Sequence, residues 1–206
     1  MTPPEATSLF PAFFKLARRD CLVVGAGQVG QAKIEGLLAC GAATTVVAPY
    51  ATPAVESWAV SGKLIWRARG FELSDLDGAF LVVVATSLPA LNERIFQEAR
   101  RRRILCNVVD DPARCDFYYP AVVRRGALQI AISTGGRSPA LAQRLRKELE
   151  HEFDPVYESW VEELGTERQR LFEQQINSAE RTRFLHKFAS KESFREFAAR
   201  KRKESA

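Results

Sequence analysis

The sequence is poor in the residues that build permanent metal sites and disulfide frameworks. It has 206 residues but only 2 histidines and 4 cysteines, and no two cysteines form a C-x-x-C pair. His151 and His186 have no partner at the spacing of metal ligands, so no resident metal is expected. The cysteines, at positions 21, 40, 106 and 115, are interpreted as small buried hydrophobic residues.

The sequence also has no long apolar run and no signal-peptide pattern near its first residue. No stretch of about 18 apolar residues occurs, and no basic region precedes an apolar stretch near the first residue. We therefore expect no membrane span, no signal peptide and a cytoplasmic location. The G-x-S-x-G and P-loop motifs do not occur either, which argues against the hydrolases and nucleoside triphosphatases that use them.

The remaining composition is typical of a globular protein. Hydrophobic residues make up 46% and charged residues 27%, which excludes disordered and coiled-coil classes. The net charge of +5 comes from the end of the sequence, because residues 181–206 hold nine basic and three acidic residues. Such a tail either attracts an acidic partner or is simply a solvated helix end, and both interpretations stay open.

Short apolar segments alternate with helical segments from residue 21 to residue 111. Glycine or proline ends most of them, as at Gly41, Pro49 and Gly62. The segment A-F-L-V-V-V-A is apolar on both faces, as in parallel sheets covered by helices on both sides. The pattern predicts a doubly wound, Rossmann-type α/β domain with strands at 21–25, 44–48, 63–67, 79–85 and 105–109 and helices at 29–40, 52–61 and 89–102.

The pattern changes after this domain. Residues 117–123 and 128–133 flank R-R-G-A, and the second run alternates apolar and small or polar residues, which predicts an antiparallel hairpin. Ser138 and Asp154, each followed by proline, predict helix starts. The predicted organisation is a dinucleotide-binding domain at 1–112, a small β-hairpin/helix region at 113–149 and a C-terminal helical domain at 150–206.

Gly25, Gly27 and Gly30 form a G-x-G-x-x-G motif between a predicted strand and a predicted helix. In that context the first glycine makes the tight turn, the second admits a pyrophosphate and the third lets helix and strand pack closely. The helix start then supplies free amides to the phosphates. A structural turn without a ligand is the alternative interpretation.

The acidic residue that usually follows the second strand of such a domain is missing, and Pro49 and Tyr50 occupy that place. A hydrogen bond from an acid to the adenosine ribose is therefore not predicted. No arginine follows to favour a 2′-phosphate, so NAD is preferred over NADP.

The stretch N-V-V-D-D-P at 107–112 places two carboxylates after the last predicted strand, where open α/β sheets bind ligands. Neighbouring strand residues point to opposite faces, so only one of Asp110 and Asp111 is expected to face the crevice. Asp111 precedes proline, which is typical of a turn or cap, and a turn role stays open for Asp110 as well. Further on, T-G-G-R-S-P at 134–139 is either an anion site or a loop with a capping serine.

Taken in order, these motifs resemble the siroheme synthase N-terminal family. The resemblance covers nearly the whole sequence and is most specific at 105–150, where N-V-V-D-D-P is followed by C-D-F-Y-Y-P-A-V-V-R-R-G-A-L-Q-I-A-I-S-T-G-G-R-S-P. Members are precorrin-2 dehydrogenases, and some are also sirohydrochlorin ferrochelatases. The resemblance does not include the methyltransferase domain that is fused to some members, so we expect the later steps of siroheme biosynthesis.

The resemblance implies NAD as cofactor, Asp110 as the catalytic residue, a tetrapyrrole substrate and a homodimer formed through the middle region. Neither a membrane nor a nucleic acid is an expected partner. The family loop usually reads G-G-G-x-V-A-x-R-K, and here Ala26, Gly30 and Ala32 replace its second glycine, its alanine and its arginine, whereas Lys33 is retained. We expect cofactor contacts from Gly25, Gly27, Gln28, Val29, Gly30, Pro49, Tyr50 and Thr86, and substrate contacts from Thr134, Gly135 and Arg137.

The implied reaction oxidises precorrin-2 to sirohydrochlorin, with Asp110 as general base. Basic residues are expected to attract the substrate carboxylates, with Arg114, Arg124, Arg125, Arg137 and the tail as candidates. Iron insertion by the same site is a further expectation that the sequence leaves open. The alternatives are a chelatase that has lost the oxidation and a non-catalytic NAD-sensing module whose basic tail contacts a partner.

Overall fold

The computed structural model describes residues 9–204 and divides the chain into two compact units, Met1–Tyr119 and Pro120–Ala206. The first unit contains a five-stranded, entirely parallel sheet in the order β3-β2-β1-β4-β5. Its strands are β1 (Asp20–Ala26), β2 (Ala43–Ala51), β3 (Ile65–Arg67), β4 (Leu81–Val84) and β5 (Leu105–Val108). The predicted doubly wound α/β fold is therefore confirmed.

Helices cover both faces of this sheet, as the alternation of side chains in the strands requires. Cys21 and Val23 of β1 pack in one buried cluster, whereas Leu22 and Val24 pack in another on the opposite face. The first cluster is covered by α1 (Gln28–Ala39) and α2 (Pro53–Val60), and the second by α3 (Pro89–Arg102). Short 3₁₀ turns at Leu73–Leu76 and Pro112–Arg114 complete the unit.

The strand order reverses between β1 and β4, because β2 and β3 lie on one side of β1 and β4 and β5 on the other. Ligands of open α/β sheets bind at such a reversal, outside the carboxyl ends of the strands. The G-x-G-x-x-G turn follows β1, and Thr86 follows β4. The fold therefore brings these two predicted cofactor contacts to the same edge.

Strand β2 is longer than the sequence predicts. We expected Pro49 to end it, but the strand continues to Ala51. The register of β1 and β2 shifts between Val24, which pairs with Val47, and Ala26, which pairs with Ala51. Pro49 lies within this bulge, beyond the three residues of β2 that pair with β3, so its missing amide breaks no ladder hydrogen bond.

The second unit contains an antiparallel hairpin and four helices. The hairpin strands are β6 (Ala121–Arg125) and β7 (Leu128–Ile132), and the helices are α4 (Pro139–Glu152), α5 (Val156–Glu173), α6 (Ser178–Phe188) and α7 (Lys191–Glu204). The predicted helix starts are confirmed: the Ser138 hydroxyl accepts from the Leu141 amide at 3.2 Å, and the Asp154 carboxylate accepts from the Val156 amide at 2.9 Å. The division into three regions stays a prediction.

The hairpin starts later and turns more tightly than expected. Residues 117–120 are not part of β6, and the strand instead continues through Arg124 and Arg125 to a turn at Gly126. Gly126 has a φ of 55°, and a Cβ there would lie 2.6 Å from the Glu158 side chain of α5. The turn therefore needs glycine for both its conformation and its close packing.

The cysteines behave as small hydrophobic residues. All four are free thiols, with Cys21 and Cys106 buried and Cys40 and Cys115 partly buried. Burial raises the pKa of the Cys21 thiol to about 11 and that of Cys106 to about 12, so neither is a thiolate at neutral pH. Within residues 9–204, no helix combines the length and apolar character needed to cross a bilayer.

A buried carboxylate fixes the segment between β3 and β4. The Asp75 side chain is fully buried and accepts hydrogen bonds from Arg67 at 2.5 Å, from Arg69 at 2.7 and 2.8 Å, and from the Glu72 amide at 2.9 Å. Burial alone would raise the pKa of this carboxyl, but these hydrogen bonds outweigh it and lower the pKa to about 2.

We expect Asp75→Asn to lower the free energy of unfolding by about 2 kcal/mol at pH 7, because the two arginines lose their buried carboxylate partner. The loss is not larger because both guanidinium groups still reach solvent and are not left buried without a partner. The pKa in the folded state lies below the unfolded value of about 3.9, so the stabilisation is present above about pH 4 and is lost as the pH falls toward 2. Urea unfolding across this range measures it. Glu35→Gln, at an exposed position of α1, is the control, and equal stabilities of both variants at pH 7 would contradict the prediction.

Candidate functional site

Gly25 and Gly30 are fixed by close backbone approaches. Gly25 has a φ of 101°, and a Cβ there would lie 2.3 Å from the Ala85 carbonyl oxygen. A Cβ on Gly30 would lie 2.2 Å from the Gly25 carbonyl oxygen. These two glycines therefore hold the β1–α1 turn against the end of β4, as predicted for the first and third glycines of the motif.

Gly27 has a different role, because no described residue other than its chain neighbours has an atom within 4 Å of where its Cβ would be. It precedes α1 in an ordinary extended conformation and provides no side-chain cap. The first amide bonded into the helix is that of Gln31, which donates to the Gly27 carbonyl at 2.8 Å. The amides of Gln28, Val29 and Gly30 therefore have no acceptor within the helix. The space beside Gly27 is open, so these amides are available to the pyrophosphate of a dinucleotide.

The residues beside this turn also suit a dinucleotide. Val29 and Tyr50 are large apolar residues that are 50% and 87% exposed, so both are available to pack against a ligand. Pro49 and Tyr50 lie at the end of β2, next to the Ala26–Ala51 pair. The Thr86 hydroxyl donates to Asn92 at 2.5 Å and accepts from the Leu88 amide at 3.2 Å, which fixes the turn from β4 into α3.

Asp110 lies at the same edge of the sheet. The Val109 amide donates to the Val84 carbonyl at 2.9 Å, and the Ala85 amide donates to the Val24 carbonyl at 2.8 Å, so the ends of β5, β4 and β1 are aligned. Asp110 follows directly, is exposed and has a φ of 62°. A non-glycine residue in this left-handed region is uncommon and costs about 1 kcal/mol, so the surrounding structure must impose it.

That structure is a network around the residues that follow Asp110. Arg114 donates to Glu93 of α3 at 2.5 Å and also pairs with Asp111. The buried Asn107 donates to the Phe117 carbonyl at 2.8 Å, which ties the returning chain to β5. Asp111 thus has a structural role, as its position before proline indicates, and Asp110 carries the exposed carboxylate.

Sequence reasoning gave no role to Lys33 or Tyr119. The Lys33 ammonium lies 3.9 Å from the centre of the Tyr119 ring. Burial lowers the pKa of Lys33, and the charges of Asp110 and Cys115 oppose that shift, so these side chains form one electrostatic group. The signals in the sequence are that Lys33 is the retained lysine of the family loop and that it lies three residues after Gly30, on the same side of α1.

The predicted substrate residues lie in the second unit, where the loop before α4 uses many of its polar groups internally. Thr134 accepts from the Ser138 amide through its hydroxyl at 3.0 Å and from the Arg137 amide through its carbonyl at 3.1 Å, and the Gly135 amide donates to Ser133 at 3.1 Å. The Arg137 side chain is exposed and has no partner within residues 9–204. The arrangement favours a capped loop that presents one cation.

The other proposed cations differ in availability. Arg114 is paired with two carboxylates, and Arg125 donates to the Phe153 and Glu150 carbonyls at 2.6 and 2.8 Å, which caps the end of α4. Arg124 has a guanidinium without a partner in the described part of the chain. Of these four arginines, Arg124 and Arg137 are therefore the ones free to meet an anion. In that same part, no three His, Cys, Asp or Glu side chains form a metal-binding group.

Comparison with known proteins agrees with this geometry. A family described as putative NAD(P)-binding matches residues 12–121, and one described as sirohaem biosynthesis protein, central, matches residues 125–152. Siroheme synthase 1 of Serratia proteamaculans (strain 568) is 39% identical over 178 residues, which are 86% of this chain and 37% of that protein. Siroheme synthase 1 of Cronobacter sakazakii is 45% identical over 140 residues, 68% of this chain and 30% of that protein.

The solved structure of SirC, a precorrin-2 dehydrogenase, superposes with a TM-score of 0.77 at 28% identity, covering 95% of this chain and 100% of that one. This chain spans only about a third of the siroheme synthases named above. The NAD(P)-binding match nevertheless covers more than half of the present chain. The chain therefore belongs to the siroheme synthase N-terminal family, with NAD as the cofactor that the turn after β1 fits.

Proposed function

We propose that this protein is an NAD-dependent dehydrogenase that oxidises precorrin-2 to sirohydrochlorin. The observation that carries the proposal is the shared edge of the sheet, where the open turn at Gly27 and the exposed carboxylate of Asp110 both follow strand ends. The superposition on SirC, a precorrin-2 dehydrogenase, supports the same reaction.

The chain's own residues would hold the cofactor in the following way. The amides of Gln28, Val29 and Gly30 bind the pyrophosphate, and Tyr50 packs on the adenosine. Bound NAD supplies the hydride acceptor for the two-electron oxidation. Neither an acid nor an arginine stands at the end of β2, and the preference for NAD over NADP remains part of the proposal.

Asp110 is proposed as the general base. Oxidation of the macrocycle removes one hydride and one proton, and an Asp110 carboxylate oxygen takes the proton. Its left-handed backbone, held by the neighbouring Arg114 network, directs the carboxylate outward rather than into the sheet. Much of the rate would come from holding the macrocycle in register with the cofactor.

The substrate is a polycarboxylate, so exposed cations of the chain favour its capture. Arg137 and Arg124 are proposed contacts because neither guanidinium has a partner in the described residues. Thr134 and Gly135 are also proposed substrate contacts, because they lie in the same loop as Arg137.

Iron insertion is a second proposed activity of the same site, supported by the siroheme synthases among the relatives. Iron would enter as a substrate and displace two pyrrole protons, which the exposed carboxylate of Asp110 would accept one at a time and pass to solvent. The activity is tested separately, by supplying sirohydrochlorin and Fe²⁺ without NAD and recording the absorbance of siroheme.

We also propose a homodimer in the cytoplasm. Within residues 9–204, β6 and β7 pair only with each other, so the outer edges of this two-stranded sheet are free for a second copy. The four free thiols fit a reducing compartment. Light scattering after size exclusion measures the oligomeric state.

The decisive experiment mixes the purified chain with precorrin-2 and NAD. We expect the absorbance of sirohydrochlorin to appear together with stoichiometric NADH, and a much slower reaction with NADP. NAD binding without any turnover would contradict the dehydrogenase and favour the NAD-sensing module. Turnover only in the iron assay would favour a chelatase that has lost the oxidation.

A further inference from the structure

A half-buried ammonium without an ion-pair partner lies next to the proposed base. Lys33 is on α1, one turn after Gly30, and its Nζ atom lies 3.9 Å from the centre of the Tyr119 ring. No carboxylate in residues 9–204 lies within ion-pair distance of Lys33. Asp110 and Cys115 are nevertheless close enough for their charges to act on it.

This arrangement is costly for a purely structural residue. Removing part of the hydration of an ammonium is unfavourable unless an anion replaces the lost water. Burial lowers the pKa of Lys33, as expected for an ammonium that has lost part of its hydration. The Tyr119 ring offsets part of this cost and holds the long side chain in place. The ammonium can therefore still pair with an anion that comes from outside the chain.

The position of Lys33 distinguishes between two anions, the cofactor pyrophosphate and a substrate carboxylate. The free amides for the pyrophosphate are at residues 28–30, before Lys33, and adenosine is expected beside β2. The neighbours of Lys33 instead come from the segment that follows β5, which includes Asp110, Cys115 and Tyr119. Asp110 is the residue of that segment that would meet the macrocycle.

We propose that the Lys33 ammonium, seated on the Tyr119 ring beside Asp110, binds a carboxylate of the tetrapyrrole substrate. The inference rests on the proposed dehydrogenase function. It also solves an electrostatic problem of that function, since an exposed aspartate repels a polyanion at the point where the macrocycle must approach it. A cation beside Asp110 offsets this repulsion and selects a macrocycle orientation.

The test compares Lys33→Gln and Lys33→Arg with Lys63→Gln, which removes the same charge at an exposed position before β3 where no side-chain partner lies within the described residues 9–204. In steady-state assays we expect Lys33→Gln to raise KM for precorrin-2 about tenfold through the lost charge-assisted contact, with kcat and KM for NAD within about twofold. Lys33→Arg should restore most of the affinity. Lys63→Gln should match the wild type.

A binding measurement without turnover makes the test independent of catalysis. Titration of sirohydrochlorin, followed by its absorbance, should give a Kd about tenfold higher for Lys33→Gln than for the wild type, with a weaker dependence on salt. Matching urea unfolding curves would show that the variant is folded.

Three results would overturn the inference. An unchanged KM for precorrin-2 and an unchanged Kd for sirohydrochlorin in Lys33→Gln would exclude a substrate contact. An increase confined to KM for NAD would place Lys33 at the cofactor. A loss of kcat with an unchanged Kd for sirohydrochlorin would make Lys33 a positioning residue for Asp110. Failure of the proposed function is distinct, because the wild type itself would then fail to oxidise precorrin-2, and the sirohydrochlorin titration would still decide the role of Lys33.

Discussion

Replacing Gly27 with aspartate is expected to weaken NAD binding at least about 100-fold, because about 3 kcal/mol of like-charge repulsion arises where the pyrophosphate must lie. The substitution acts on the ligand and not on the fold. Apart from its chain neighbours, no residue in the range 9–204 lies within 4 Å of the position of a Cβ on Gly27, and its φ of −73° suits any residue. The new carboxylate would also accept hydrogen bonds from the free amides at the start of α1 and so occupy the anion site itself.

The stability of Gly27→Asp should therefore stay at the wild-type value or rise by a few tenths of a kcal/mol, since aspartate is a better helix cap than glycine. Gly36→Asp, at an exposed and open position of the same helix, controls for the added charge and should bind NAD normally. Calorimetric titration with NAD and urea unfolding measure the two quantities. Wild-type affinity in Gly27→Asp would show that the turn does not hold the pyrophosphate.

The neighbouring glycines provide a contrast within the same motif. Gly25→Ala and Gly30→Ala would place a Cβ at 2.3 and 2.2 Å from carbonyl oxygens of the backbone. Both should lower the free energy of unfolding by about 2–3 kcal/mol, whether or not NAD is present. The three glycines of the motif are thus expected to differ: Gly25 and Gly30 shape the turn, and Gly27 leaves room for the proposed ligand.

This separation shows how far the sequence alone could lead. The order strand, glycine turn, helix and glycine stop is a local pattern, so it predicted β1, α1 and the switch-point edge correctly. The position of Asp110 followed from the same logic, because residues after parallel strands meet at one edge. Its left-handed backbone did not follow, since aspartate is compatible with several turn conformations and the Arg114 network selects one.

The start of β6 shows a second limit. Residues 117–119 are all aromatic, which is typical of a strand. The structure instead ties this segment to β5, where Asn107 donates to the Phe117 carbonyl, and Pro120 has no amide for a ladder. The Lys33–Tyr119 contact was equally unpredictable, because it joins α1 to a residue that comes after the whole sheet.

Replacing Asp110 with asparagine is expected to lower kcat for precorrin-2 oxidation at least about 100-fold, the usual contribution of a general base. Asparagine is the suitable choice because it keeps the size of the side chain and tolerates the φ of 62° that this position requires. Alanine would add about 1 kcal/mol of backbone strain, so a loss of activity in Asp110→Ala would mix chemistry with stability.

Asp111→Asn is the matched control, because it removes a neighbouring carboxylate that pairs with Arg114 and leaves Asp110 in place. It should lose no more than about threefold in kcat, since Arg114 keeps its bond to Glu93 and can still donate to the side-chain oxygen that asparagine retains, so the network beside Asp110 is preserved. Stopped-flow absorbance at saturating NAD separates the chemical step from cofactor binding, whose Kd should be unchanged in both variants. If Asp110→Asn oxidised precorrin-2 at the wild-type rate, the proton would have to leave by another route, and the exposed carboxylate at the end of β5 would have no role in the chemistry.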